Sequence, residues 1–227
     1  PENTEILERV NITETGSLRR TFGSSKFNSS ANTGSKDVTA LKQAIFANGQ
    51  VRNIETAGTS VYTNDGTTRT AITGSLTLTD DADARFRSAF IKDSEVFSNA
   101  SDEVFIVTNS GNATALSGVN FTTCQDVVVA KNLLIILAPT VGGVKQTTRI
   151  QWCDINTSTF ELDITNWPTD SIYELYQGGN PIIGGVEFGG RLFVVKSDGI
   201  YPMRVTMDNG FIEVFADDER PPLRGEF

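Results

Sequence analysis

The chain has no histidine and only two cysteines, Cys124 and Cys153, so most of the side chains that carry catalysis or bind metals are missing. Without histidine there is no Ser-His-Asp or Cys-His arrangement. Two distant cysteines do not make a structural zinc site by themselves. Carboxylates are the remaining chemical groups. Glu161 with Asp163, and Asp80 with Asp81 and Asp83, are close enough in sequence to suggest an acid and base for glycoside hydrolysis. The aspartate cluster also suggests Ca²⁺, but it lacks the spacing and glycine of a calcium loop. In an acidic chain a solvated face accounts for both groups. There is no phosphate-binding Gly-x-x-x-x-Gly-Lys loop and no dinucleotide fingerprint. The chain therefore reads as a non-enzyme that needs no cofactor and no metal. Both cysteines lie in apolar, strand-like contexts and read as buried thiols. A disulfide would form only if assembly ends outside a reducing compartment.

The elements available to position any site are strands. The chain has 227 residues, of which 38% are hydrophobic, with 20 glycines, 2 methionines and abundant Thr, Ser and Asn. That is a composition of β-structure and turns, poor in helix formers. The longest apolar run, Val127 to Pro139, is interrupted by Lys131-Asn132 and falls short of the ~18 residues of a membrane helix. No membrane partner is expected. The N-terminus lacks a basic stretch followed by an apolar one, so no secretory signal is expected. Pro1 reads as a native end left by removal of an initiator Met. The Asn-x-Ser/Thr triplets at Asn11, Asn28, Asn112, Asn120 and Asn156 read as chance in so Asn- and Thr-rich a chain. The formal net charge of −9 argues against a basic nucleic-acid-binding stripe.

From Val38 onward the sequence repeats. Three segments, Thr59 to Gly66, Glu103 to Gly111 and Leu192 to Gly199, each run from an apolar strand into a polar turn ending in glycine. Gly66 to Gly111 is 45 residues, and Gly111 to Gly199 is 88, twice 44. The intervening member is Leu133 to Ala138, with its turn grown into a loop from Pro139 to Gln146. An apolar strand precedes each: Ala44-Ile45-Phe46, Ala89-Phe90-Ile91, Val127 to Ala130 and Ile182-Ile183. Asn48-Gly49, Lys131-Asn132 and Gly189-Gly190 are hairpin turns. Leu192 to Val195 reads as a strand buried on both faces. A period near 44 residues with paired strands lies in the propeller range of ~40–50. The expected fold is all-β, a β-propeller-like repeat of short antiparallel meanders, with a β-sandwich as the alternative. Residues 1–38 read as an N-terminal arm, partly extended, and 39–227 as the all-β repeat domain. Glu2 to Val10 reads as a helical turn or an edge strand, and Ile172 to Gln177 as a short helix or an irregular strand. The Ser/Thr-x-Asp-x-Gly turn of sialidase-type blades is absent, because Asp65 and Asp198 directly precede their glycines.

Arg149-Ile150-Gln151-Trp152-Cys153-Asp154-Ile155-Asn156, the Pro181 to Lys196 hairpin and the Ser197-Asp198-Gly199-Ile200-Tyr201 turn resemble a propeller blade of tailed-phage virion proteins, the tail-tube nozzle and head-to-tail closure proteins. Glu14 to Gly23 is similar to the leading segment of those families. The resemblance implies a structural protein of the head-to-tail connector or tail, forming a homo-oligomeric ring around the DNA channel. Implied partners are the portal, adaptor or tail components, and double-stranded DNA passing through the lumen without specific binding. Acidic walls suit such a conduit, because like charges repel phosphate. The implied localisation is the virion, assembled in the host cytoplasm. Candidate subunit or partner contacts are Arg19 and Arg20, which would anchor the arm, and the aromatics Trp152, Trp167, Tyr173 and Tyr176. The alternative is a receptor- or glycan-binding module of a tail fibre or spike, with Trp167 and Tyr176 stacking on sugar faces.

Overall fold

A computed structural model describes residues 10–12, 18–20, 36–65, 67–81, 85–156, 158–159, 161–208, 211–216 and 223–224. Most of the expected arm lies outside the described residues. So do Gly66 of the first repeat turn, Asp83 of the aspartate cluster and nearly all of the C-terminal tail. Within the arm, β1 (Val10–Ile12) pairs antiparallel with β2 (Leu18–Arg20).

The remaining strands build consecutive antiparallel meanders. The first sheet is β3 (Val38–Ile45), β4 (Val51–Ala57), β5 (Ser60–Asn64) and β6 (Arg69–Ala71), in that order. The second is β7 (Arg87–Ile91), β8 (Ser94–Ser98), β9 (Phe105–Thr108) and β10 (Thr114–Ala115). The third opens with β11 (Cys124–Ala130) and β12 (Leu133–Val141), and β12 folds back onto β13 (Val144–Lys145). It continues with β14 (Arg149–Trp152), a small hairpin of β15 (Asp154–Ile155) and β16 (Leu162–Asp163), and β17 (Ile172–Glu174) beside β14. The fourth is β18 (Ile182–Phe188), β19 (Arg191–Lys196), β20 (Gly199–Asp208) and β21 (Phe211–Ala216), with β22 (Leu223–Arg224) also on β20. The segment Ile172–Glu174 is thus a strand. The stretch expected to be a loop from Pro139 is an extension of the β12–β13 hairpin.

The first strands lie side by side in chain order: β3 against β7, β7 against β11, and β11 against β18. Each sheet thus stacks on the next by its face, as blades do. The fold is all-β, a propeller-like arc of short antiparallel meanders. No comparably extensive contact joins β18 back to β3 among the described residues.

The regular mark of the repeat is the turn after each first strand. Lys92-Asp93, Lys131-Asn132 and Gly189-Gly190 all have positive φ at both positions, the geometry of a tight hairpin whose twist matches its strands. With Gly49 in the first sheet, these turns recur after 44, 39 and 58 residues, the long interval holding the β15–β16 insertion. The glycine-ending turns seen in sequence are out of phase by comparison. They follow the third strand in the first two sheets and the second strand in the fourth.

The core lies between sheets. Ile54, Val61, Ile72 and Phe86 pack with Phe97, Phe105 and Val107 between the first and second sheets. Phe97 stacks on Phe105 with centroids 5.0 Å apart, and Phe86 meets Phe105 edge-on at 5.4 Å. A larger cluster centres on β12, where Leu133 to Ala138 are all fully buried. Side chains there are buried on both faces because sheets cover both. Leu192 to Val195 differs from the expectation. Leu192 and Val194 are buried, whereas Phe193 and Val195 are only half-buried. The cause is position, since the fourth sheet is last in the arc.

Candidate functional site

Two features stand out: the hub where the first strands converge, and the uncovered faces at the two ends of the arc. At the hub Asp126 of β11 bridges neighbouring sheets. Its Oδ2 accepts from Arg87 Nη1 of β7 at 2.8 Å and from the Gly185 amide of β18 at 2.9 Å, while Oδ1 accepts from Val127 N at 2.9 Å. Burial nevertheless pushes the Asp126 carboxyl above its ordinary value, against the lowering effect of these donors. Gly184 and Gly185 let β18 come this close. A Cβ on Gly184 would collide with the Arg87 guanidinium, and one on Gly185 would press on Leu137 at 2.6 Å. A cleft of about 390 Å³ opens here, bounded by Arg87, Phe90, Asp126, Val128 and Glu187.

The end faces follow from strand alternation. In the first sheet Ala44, Ile54 and Val61 point to the second sheet, so their alternates point away. Among those, Leu41 is 71% exposed, Ile45 62% and Val51 50%. The far half of the same face is closed by Arg69, which binds Glu55 Oε2 at 2.8 Å and lies over the Tyr62 ring at 5.7 Å. In the fourth sheet Leu192 and Val194 point to the third sheet. The opposite face carries Val186, 53% exposed, with Phe193 and Val195 half-buried beside it and Phe188, 75% exposed, at its hairpin end. Scattered exposed apolar residues are ordinary on a protein surface. Leu41, Ile45, Val51, Val186 and Phe188 lie on two sheet faces that no neighbouring sheet covers among the described residues, while Phe90, Val144 and Tyr176 are exposed elsewhere.

The expected contact residues separate on this frame. Trp167 is buried, its Nε1 donating to Ile164 O at 2.7 Å and its ring edge-on to Phe121 at 5.0 Å. Trp152 is buried in β14, and Tyr173 packs half-buried against the same core. As surface contacts the two tryptophans are corrected by their burial: they fill the space under the long third-sheet insertion. Trp167 likewise offers no face for a sugar. Tyr176, 72% exposed, is on the surface. Arg19 and Arg20 sit in β2 opposite Asn11 and Val10, and their side chains lie outside the described residues.

The carboxylates singled out by spacing serve turns and ion pairs. Asp163 Oδ1 accepts from Thr165 N at 2.9 Å and Thr165 Oγ1 at 2.7 Å, and these bonds hold its carboxyl below the usual range. Glu161 is an exposed partner of Lys92 at 3.9 Å. Asp80 pairs with Lys36 at 2.6 Å. Both cysteines are free and buried, and burial pushes each thiol up to about 12. Among the described residues no cluster of three carboxylates or thiols is placed to hold a metal ion.

Sequence reading passed over the buried ions that join one sheet to the next. Arg52 of β4 donates to the carbonyls of Thr108, at 2.6 Å, and Gly111, at 3.1 Å. Lys42 of β3 stands 3.5 Å from the fully buried Glu95 of β8, whose oxygens lack a well-formed hydrogen bond. Lys196 of β19, fully buried, donates to Leu175 O at 2.9 Å and Gln177 O at 2.6 Å, and lies over the Tyr201 ring at 5.3 Å. A charged residue alternating with apolar ones in a strand is the trace these leave in sequence, and it is also the trace of a solvated edge.

No protein-family model matches the chain, and no curated protein matches it. Among solved structures it is similar to the BBS1N chain of a crystal structure of BBS1N in complex with ARL6DN, soaked with lead. The identity is 15% and the TM-score 0.42, over 79% of this chain and 56% of that one.

Proposed function

We propose that the chain is a non-enzymatic structural protein of a tailed-phage virion, part of the head-to-tail connector or the tail nozzle or tube. In this reading it works as one segment of an oligomeric ring around the DNA channel, against portal, adaptor or tail neighbours. The observation that carries the assembly role is the exposed apolar residues on the two end faces of the arc, which no other sheet covers among the described residues. Each internal sheet face is covered by the next sheet, and an end face left open has the same kind of surface with no cover. The phage context rests on the Arg149 to Asn156 and Pro181 to Tyr201 resemblance. The net charge of −9 is compatible with a conduit that phosphate does not adhere to.

The test is the mass of the purified chain by light scattering after size exclusion, alone and with candidate virion neighbours. A discrete ring, or one that forms only with a neighbour, supports the proposal. Leu41→Asp and Phe188→Asp should each keep the folded spectrum and lose the assembly. A chain that remains monomeric and binds no virion component overturns the proposal.

A further inference from the structure

The boundary between the first and second sheets opens at one end into a polar cleft of about 390 Å³. That is within the range of small-molecule sites, ~300–1,000 Å³. Its floor is Arg52, which is only 9% exposed. The guanidinium has five N–H donors. Its bonds within the chain go to two carbonyls, Thr108 O and Gly111 O, and no carboxylate pairs with it among the described residues. A buried cation without a counter-charge is costly, and burial does pull the Arg52 guanidinium below its ordinary value. An anion entering the cleft would supply the missing charge.

The walls limit what kind of anion fits. The hydroxyls of Thr63, Thr70 and Ser110 and the amide of Asn109 line the cleft, and none of these groups makes a side-chain hydrogen bond within the described chain. Asp65 lines it too. Its Oδ1 is occupied by the amides of Thr67, at 2.8 Å, and Thr68, at 2.6 Å, and those bonds hold the carboxyl in its ionised form below the usual range. Oδ2 is left to accept from a ligand hydroxyl. At pH 7 a bare phosphate would bring more negative charge against Asp65 than a single carboxylate does, and would offer Oδ2 at most one hydroxyl to accept from. A neutral sugar would leave Arg52 uncompensated. A ligand with one carboxylate and several hydroxyls uses all of them.

We propose that this cleft binds a small acidic sugar of the uronic-acid type, its carboxylate on Arg52 and its hydroxyls on Asp65, Asn109 and the Thr63–Thr70–Ser110 wall. The cleft meets the first end face at Val51, but Leu41, Ile45, Val186 and Phe188 lie outside its lining, so assembly and sugar binding can be broken by different variants.

The experiment is an NMR titration of the intact chain at pH 7 with glucuronate, glucose and inorganic phosphate. Glucuronate should shift the amides of Arg52, Thr70 and Asn109 saturably in the millimolar range, with glucose at least about tenfold weaker. Phosphate should give no saturable shift. Arg52→Gln should abolish the response. Because that change also removes two bonds to the second sheet, Asn109→Leu, at a half-buried position in the turn after β9, is the second variant. It should melt like the parent and bind glucuronate at least about fivefold more weakly. The proposal is overturned by no saturation up to about 50 mM glucuronate, by phosphate binding as well as glucuronate, or by unchanged binding in a folded Asn109→Leu chain.

Discussion

Replacing Asp126 separates the two jobs its carboxylate does at the hub. The Ala variant removes the acceptor that Arg87 Nη1 reaches at 2.8 Å and the Gly185 amide at 2.9 Å. Arg87 is half exposed and its charge can turn to water, so that loss is worth only about 0–1 kcal/mol. The Gly185 amide is held against β11, and leaving such a donor unpaired costs about 1–3 kcal/mol. Asp126→Ala should therefore cost about 2–3 kcal/mol, a fall in Tm of about 4–12 °C for a domain of this size. The Asn variant keeps an oxygen for Gly185 and removes the charge. Because burial already pushes the Asp126 carboxyl above its ordinary value, the folded state disfavours that charge, and Asn should cost less than about 1 kcal/mol. Urea and thermal melts of the three proteins measure the ordering, and amide exchange at Gly185 should quicken in Ala only. Equal destabilisation by Asn and Ala would refute the reasoning, since the ion pair and not the acceptor would then hold β18 to the hub.

Glu95→Gln should raise stability at pH 7 by about 1 kcal/mol, because a buried carboxylate with poor partners becomes neutral while the half-exposed Lys42 returns to water. The sign with pH follows from the same group. Its folded value is raised by burial, so the native state binds the extra proton, and the stability it contributes falls as pH rises from the ordinary carboxylate value through the raised one. Melts from pH 4 to 8 should show that decline in the parent and a flatter profile in Glu95→Gln. Gly178→Ala should cost about 1–3 kcal/mol by urea unfolding, since Gly178 has φ +78° and its new Cβ would strike the Asp198 carboxyl and the Tyr201 hydroxyl. Cys124 and Cys153 should not react with a thiol reagent at pH 8 in the folded chain and should both react in denaturant, because burial holds each thiol near 12.

The strands and the turns between them were legible because they depend on local pattern. Lys131-Asn132 between two apolar runs and Gly189-Gly190 between Ile182 and Val195 announce hairpins by residue type. Lys92-Asp93 makes the same kind of turn, with φ of 46° and 58°, but neither residue advertises positive φ, so the β7–β8 hairpin was passed over. That omission shifted the alignment of the repeat by one strand. Burial was less legible, because it depends on a sheet's place in the arc. The alternation in Arg191–Lys196 is the same with a covered or an open outer face, and Phe193 reads as core in either case. The long insertion misled in the opposite direction. Trp152 and Trp167 are spaced like surface aromatics in a polar segment, yet that segment folds over and buries them.

The buried ions explain why an arc of stacked sheets holds one arrangement. Apolar faces alone allow neighbouring sheets to slide, since dispersion contacts have little direction. Each boundary carries at least one directional lock: Arg52 between the first and second sheets, Arg87–Asp126 between the second and third, Asp126–Gly185 and Lys196 between the third and fourth. The inner-strand half of the first sheet's outer face carries exposed Leu41, Ile45 and Val51 around the Gln43–Asn53 pair, which bond to each other, and it shows no such lock to another sheet among the described residues. The outer face of the fourth sheet, around Val186 and Phe188, is of the same kind. A cover for either end must therefore bring its own polar partner to fix its angle. Leu41→Lys and Val186→Glu, made in separate chains and mixed, would provide a pair of that kind where one copy covers another. If second copies complete the arc, the mixture should associate more tightly than either variant alone, and salt should weaken the gain. If a different protein provides the cover, mixing should change nothing.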